Sequence, residues 1–187
     1  LTTINSYSKI NLVPFGEFLP FEKILRQIGL KNITNNYQSY SRGEKRNIIE
    51  INKFDTTIKL LPLICYEIIY SGNIFDDRNF DLIVNISEDG WFGQSIGPHQ
   101  HFAHSIYRAI ESGKYVLRSA NNGISAIVNP LGVVENKVNL NQSGYVDFIE
   151  SKKIRSTIFS IYGNKIFVLI ILLYISLIFS FNRIKNE

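Results

Sequence analysis

The chain has 187 residues, enough for one domain and too few for two full ones. Its composition, 45% hydrophobic and 19% charged, excludes disorder as a general description. Twenty Lys and Arg against sixteen Asp and Glu leave a net charge of +4, and the basic residues are scattered rather than gathered into a stripe, which argues against a nucleic-acid partner. The single cysteine rules out an internal disulfide framework and any multi-cysteine metal site. Methionine is absent and Leu1 stands first, so the chain is expected to be a fragment or the downstream part of a split gene. Its first residues lack the basic region and apolar run of a signal peptide.

Near the amino terminus, Tyr7-Ser8-Lys9-Ile10-Asn11-Leu12-Val13-Pro14-Phe15-Gly16-Glu17 puts a lysine before a tight Pro-Phe-Gly turn carrying a carboxylate. Lys9 reads either as a solvated surface cation or as a cation held for chemistry elsewhere. From Lys31 to Lys53 the chain is rich in Asn, Ser, Tyr and charge, and is expected to be a loop or lid over the sheet. Ile58 to Ile64 reads as a buried strand, with Pro62 delaying pairing until Leu63. The run ends at Cys65-Tyr66-Glu67. A strand ending at a lone cysteine puts the sulfur at the carboxyl end of a sheet, where α/β folds bind ligands; the alternative is a small buried hydrophobe. Glu67 argues two ways. A neighbouring carboxylate disfavours the thiolate, so a nucleophilic Cys65 demands a lysine or histidine from elsewhere, which Lys9 supplies.

Asp81 to Ile86 is a second, β-branched strand. It runs into Asn85-Ile86-Ser87-Glu88-Asp89-Gly90-Trp91-Phe92-Gly93, whose aromatics either line an acyl-chain groove or pack against the sheet. Pro98 opens a helix that Gly113 closes. On it Phe102, Ile106, Ala109 and Ile110 form the expected apolar face, with Arg108 and Glu111 pointing away. His99, His101 and His104 do not make a metal set: only the last two share a face, and no acidic or thiol ligand follows at metal spacing. Tyr115 to Ser119 and Ile124 to Val128 are further strands, separated by the turn Ala120-Asn121-Asn122-Gly123, and Asn129-Pro130-Leu131-Gly132 is a second turn. Two strands, a helix and two strands suggest a layered α/β sheet.

Ile166 to Asn182 holds 17 uncharged, almost wholly apolar residues. As a helix it would be about 26 Å long, at the short edge of what spans a ~30 Å hydrocarbon core. It has no polar face for water, which favours a transmembrane helix over a buried core helix. Tyr162 and Lys165 before it and Arg183 and Lys185 after it suit the two interfaces, while basic residues on both sides leave orientation undecided. The expected division is an α/β domain over 1–150, a linker over 151–165, a span over 166–182 and a tail over 183–187.

LVPFGEFLP, LICYE, SEDGWFG, GPHQH and RSANNGISAIVNPLG, in this order from about Tyr7 to Gly132, resemble the apolipoprotein N-acyltransferase family, a membrane branch of the nitrilase superfamily. The terminal span is similar to that family's last transmembrane helix. The resemblance implies a nitrilase-like αββα sandwich, truncated at its amino terminus, and a Glu-Lys-Cys triad with Cys65 as nucleophile and Lys9 as lysine. It further implies that Cys65 takes an acyl chain from a phospholipid as a thioester, which the N-terminal amine of a diacylglyceryl-cysteine apolipoprotein then attacks. Lys9 and the Tyr66 N–H would stabilise the oxyanion. Glu17 and Glu67 match supporting acidic positions, and Trp91 and Phe92 the aromatic loop at the lipid entrance. No cofactor is implied. The triad's glutamate lies upstream of the lysine motif and has no counterpart here, so the chain is expected to be inactive alone and to need a separate upstream chain. By the same resemblance the domain faces the periplasm at a bacterial inner membrane. A nitrilase-type amidase for small amides and a non-catalytic membrane remnant are the rival expectations.

Overall fold

The computed structural model describes residues 5–28, 39–53, 56–72, 79–149 and 154–185. Its centre is one six-stranded mixed sheet in sequential order: β1 (Ile49–Lys53), β2 (Thr56–Ile64), β3 (Leu82–Glu88), β4 (Tyr115–Asn121), β5 (Ser125–Val128) and β6 (Val134–Val138). The pairs β2–β3 and β3–β4 are parallel, and the others antiparallel. Helices α1 (Glu22–Gln27), α2 (Gly97–Ser112), α3 (Ile158–Tyr162) and α4 (Lys165–Lys185) complete it, with 3-10 turns at Cys65–Ile69 and Asp89–Phe92. Among the described residues there is this single sheet, so the expected four-layer sandwich is represented by one sheet and its helix.

The apolar runs form the strands at the centre because both their faces are covered. Leu61 and Leu63 of β2, Ile83 of β3 and Val116 of β4 meet Ala109 of α2 on one face. On the other, Leu82, Tyr115 and Ile127 pack with Val146 and Phe148 of the irregular segment that follows β6. Each of the large aliphatic side chains buried in this way stabilises the fold by about 1.5–3 kcal/mol.

Pro62 does not delay pairing: β2 runs continuously through it, opposite Val84. Lys59 and Asp81 exchange bonds across the β2–β3 edge, so residue 62, an odd number of positions further on, turns its missing N–H toward β1. The β1 ladder stops at Leu60, and no sheet partner is lost there. The expected loop over 31–53 is corrected in part. Residues 31–38 lie outside the described set, 39–48 are irregular, and Ile49–Lys53 is a strand. β6 was not expected from its polar sequence.

Helix α2 starts and ends as the Pro98 and Gly113 signals predict. Its faces differ from expectation. Arg108 does not point away but is 3% exposed, donating to the Tyr70 carbonyl and to Glu111 at 2.8 Å, while Ile110 is 45% exposed. The long-range carbonyl acceptor overrides the polarity of the residue. Burial pulls Glu111 upward in pKa, against the opposing Arg108 charge and the Ser71 hydrogen bond.

The expected linker contains α3, capped by the Thr157 hydroxyl accepting from Ser160 N at 3.0 Å. Helix α4 covers the expected apolar run and leaves its large apolar side chains from Phe167 to Phe181 exposed, uncovered by the rest of the described chain. Its described side chains stop at Phe181, and among the described residues no helix is long and apolar enough to cross a membrane.

Candidate active site

Both parallel strands β2 and β3 end at one cavity of about 520 Å³, lined by Val13, Glu17, Ile64, Cys65, Tyr66, Ile86, Ser87, Glu88, Trp91, Phe92, His101 and Asn121. Cys65 ends β2 with φ of +50°, a left-handed conformation that costs a non-glycine residue roughly 1–2 kcal/mol. This sharp turn brings Sγ within 3.9 Å of the Glu88 carbonyl at the end of β3.

Two glycines set the aromatic rim by close approach. A β-carbon on Gly16 would stand 2.8 Å from the Trp91 ring, and one on Gly97 would stand 2.6 Å from Phe92. The Pro-Phe-Gly turn therefore packs against Trp91, and the start of α2 packs against Phe92. Trp91 and Ile86 remain 61% exposed at the rim, so the cavity opens through an apolar mouth.

Lys9 is not a lining residue. Its Nζ pairs with Glu17 Oε1 at 2.7 Å, and Glu17 Oε2 accepts from Val13 N at 2.8 Å. The lysine thus stands behind a carboxylate that itself lines the cavity with Cys65. Glu67 behaves differently from the expected neighbour of the thiol. It is fully buried and turned away, accepting from Tyr7 Oη and Ile10 N at 2.9 Å, Asn11 N at 3.1 Å, Arg46 Nη2 at 3.3 Å and Ile64 N at 2.8 Å. It pins the lysine-bearing segment to the residue before the cysteine. Burial raises Tyr7 to about 12, opposed by the Arg46 hydrogen bond and assisted by the Glu67 charge.

A second buried cluster was not anticipated. Asp89, 0% exposed, receives Arg118 Nη2 at 2.7 Å on Oδ2, and on Oδ1 it receives Ser87 Oγ at 2.7 Å and His101 Nδ1 at 2.8 Å. Arg118 also donates to Asn85 Oδ1 and, at 3.2 Å, to the Ile124 carbonyl. Burial would raise the Asp89 pKa, but the His101 and Ser87 hydrogen bonds and the Arg118 charge outweigh it and hold it below the ordinary 3.8. The cluster is assembled by the sheet register, which makes Asn85 and Arg118 direct partners across β3 and β4 and which the sequence alone does not show. No group of His, Cys, Asp or Glu among the described residues is arranged to hold a metal ion.

Six strands in a mixed parallel and antiparallel sheet define an α/β protein, and a thiol following a parallel strand at the edge of a cavity makes the strand ends its candidate ligand site. The chain belongs to the carbon-nitrogen hydrolase family, whose model matches residues 2–148. Among curated proteins it is 42% identical to an apolipoprotein N-acyltransferase of Rickettsia typhi over 181 residues, covering 92% of this chain and 35% of that protein. It is 44% identical to one of Rickettsia bellii, covering 92% and 34%, and 40% identical to one of Rhizobium leguminosarum bv. trifolii, covering 77% and 27%. The chain thus spans about a third of the length of these relatives. Among solved structures, the NitN amidase from Nesterenkonia sp. AN1 aligns at TM-score 0.46 and 17% identity, over 73% of this chain and 48% of that one.

Proposed function

We propose that this chain carries the acyl-transfer centre of an apolipoprotein N-acyltransferase. The observation that carries the proposal is the apolar, aromatic-rimmed cavity with Cys65 at its floor and a Lys9–Glu17 ion pair at its side. A small-amide site needs no such mouth, whereas an acyl chain gains about 0.8 kcal/mol for each methylene buried in one.

In this reading Cys65 attacks the ester carbonyl of a phospholipid, forms a thioester and releases a lysophospholipid. The terminal amine of a diacylglyceryl-cysteine apolipoprotein then attacks the thioester and regenerates the thiol. Lys9 and the Tyr66 N–H stabilise the oxyanion in both steps. Glu17 orients Lys9, and Glu67 positions the segment that bears it. Trp91 and Phe92 guide the acyl chain. The lining carboxylates are already committed, Glu17 to Lys9 and Glu88 to Gly90 N and Asn121. By the pattern of the family resemblance, the general base is assigned to a glutamate of an upstream polypeptide, and residues 1–150 form the catalytic part. Helix α4 inserts in a bacterial inner membrane, 151–165 links it to a domain on the periplasmic side, and 183–187 form its tail.

The test is mass spectrometry of Cys65 after incubation with phospholipid micelles, with and without the upstream portion of a relative. A long-chain acyl thioester is expected only with the upstream portion. An acyl thioester on the isolated chain overturns the need for an external base. Hydrolysis of small amides by the completed protein, with no acyl group retained on Cys65, overturns acyl transfer.

A further inference from the structure

We propose that His101 is a positioning residue for the nucleophile turn, a ring that ties the Cys65 carbonyl to the buried Asp89–Arg118 pair. The proposal deepens the reading of Cys65 as nucleophile and rests on it.

The argument starts from the backbone. A left-handed cysteine persists only where its surroundings over-determine it. The carbonyl of Cys65 is met by His101 Nε2 at 3.2 Å, and the other ring nitrogen lies 2.8 Å from Asp89 Oδ1. A carbonyl and a carboxylate can only accept. Nε2 therefore donates to the Cys65 carbonyl, while Nδ1 sits among Asp89 Oδ1, Arg118 Nη2 at 3.2 Å and Ser87 Oγ at 3.4 Å. His101 is 4% exposed, where losing the bond to the Cys65 carbonyl carries the full cost of an unmade buried bond.

Among the described residues the ring faces the Asp89 carboxylate from the 3-10 turn, the Arg118 guanidinium from β4, the Ser87 hydroxyl from β3 and the Phe92 ring at a centroid distance of 5.4 Å. His104, one turn on along α2, is pulled down in pKa by burial and by the Arg108, His101 and Arg118 charges. One carboxylate holds both neighbours, Arg118 on Oδ2 and the His101 ring on Oδ1. His101 thus acts through the backbone it holds, without touching the reacting atoms.

The test uses the full chain in detergent micelles, labelled with ¹⁵N-histidine, together with iodoacetamide alkylation of its only cysteine. The ring signal that disappears in His101→Gln is expected to show a protonated Nε2, the nitrogen that donates to the Cys65 carbonyl. Alkylation of Cys65 is expected to slow about tenfold or more in His101→Ala, the effect of leaving a buried carbonyl without its donor, and to recover to within about threefold of wild type in His101→Gln, whose amide can still donate to the Cys65 carbonyl. His101→Gln, checked by thermal melting, keeps the comparison valid if His101→Ala fails to fold. A ring with Nε2 unprotonated, or equal alkylation of all three proteins, overturns the role of His101 and leaves Cys65 as nucleophile. A wild-type thiol no more reactive than glutathione overturns the nucleophile assignment itself.

Discussion

Glu67→Ala measures how strongly the lysine-bearing segment is held to the cysteine turn. The substitution deletes a fully buried carboxylate that accepts from Tyr7, Ile10 and Asn11 on one side and from Ile64 on the other. It also removes the carboxylate partner of Arg46, whose side chain is 6% exposed. Breaking a buried ion pair by deleting one partner costs about 3–5 kcal/mol, and each lost hydrogen bond to a charged acceptor about 1.5–3 kcal/mol. The same atoms make both kinds of contact, so the ion-pair figure is taken as the whole rather than added to the rest.

That cost falls on a segment outside the main sheet, whose one ladder contact is the isolated Pro14–Phe18 bridge, so it is released by local opening before global unfolding. A loss of about 3 kcal/mol multiplies the open population roughly a hundredfold, since every 1.4 kcal/mol is tenfold. Hydrogen exchange of the Ile10 and Asn11 amides reads this directly, with the central-strand amide of Val116 as internal reference. The expected result is a hundredfold loss of protection at the first two and a much smaller loss at the third. Glu67→Gln, which keeps one acceptor oxygen, should fall between. Unchanged protection at Ile10 and Asn11, or an equal loss at all three amides, would refute the clamp.

Asp89→Asn should destabilise the fold in a pH-dependent way. Burial works to raise this carboxyl, but the His101 and Ser87 bonds and the Arg118 charge hold it below 3.8. Its folded value is depressed, so its stabilisation is present above the unfolded value and lost as pH falls through the folded one. The gap in urea midpoint between wild type and variant, about 3 kcal/mol near pH 6 for a broken buried pair, should shrink below about pH 4. A gap independent of pH would sink the assignment. Trp91 is the only tryptophan, so its emission reports the cavity mouth alone. Anionic phospholipid vesicles should shift it to the blue, and unchanged emission would remove the mouth from the membrane surface. Trp91→Ala, at a 61% exposed position, should change stability by less than about 0.5 kcal/mol in a urea titration.

What the sequence disclosed follows from how local each cause is. Three continuous apolar runs became β2, β3 and β4, and the Pro98 and Gly113 signals bounded α2, because those patterns act within a few residues. Pro62 misled because its tolerance depends on where a neighbouring strand stops, and β6 was missed because its Glu135, Asn136 and Lys137 face solvent. Arg108 was read as outward because its acceptor, the Tyr70 carbonyl, is remote in sequence. At the site, Cys65, Trp91 and Phe92 were legible from their place at strand ends. The partners were not. Lys9 found Glu17 across its own turn, while Glu67, adjacent to the thiol in sequence, faces the other way.

That reversal explains why a single cysteine can sit in an unfavourable backbone conformation without collapsing into an ordinary core position. Glu67 holds the amide of Ile64, just before Cys65, and His101 holds the carbonyl of Cys65 itself. The two anchors are buried and drawn from opposite sides, one tied to the amino-terminal segment and the other to α2 and the sheet. A turn fixed at both ends in this way has little freedom to rotate its φ back to the right-handed region. The strain at Cys65 is thus offset by buried polar bonds to its backbone, while Val13, Ile64, Ile86, Trp91 and Phe92 give the cavity its apolar wall. One fold can then present a charged, hydrogen-bonded support behind the sulfur and a hydrocarbon-like surface in front of it.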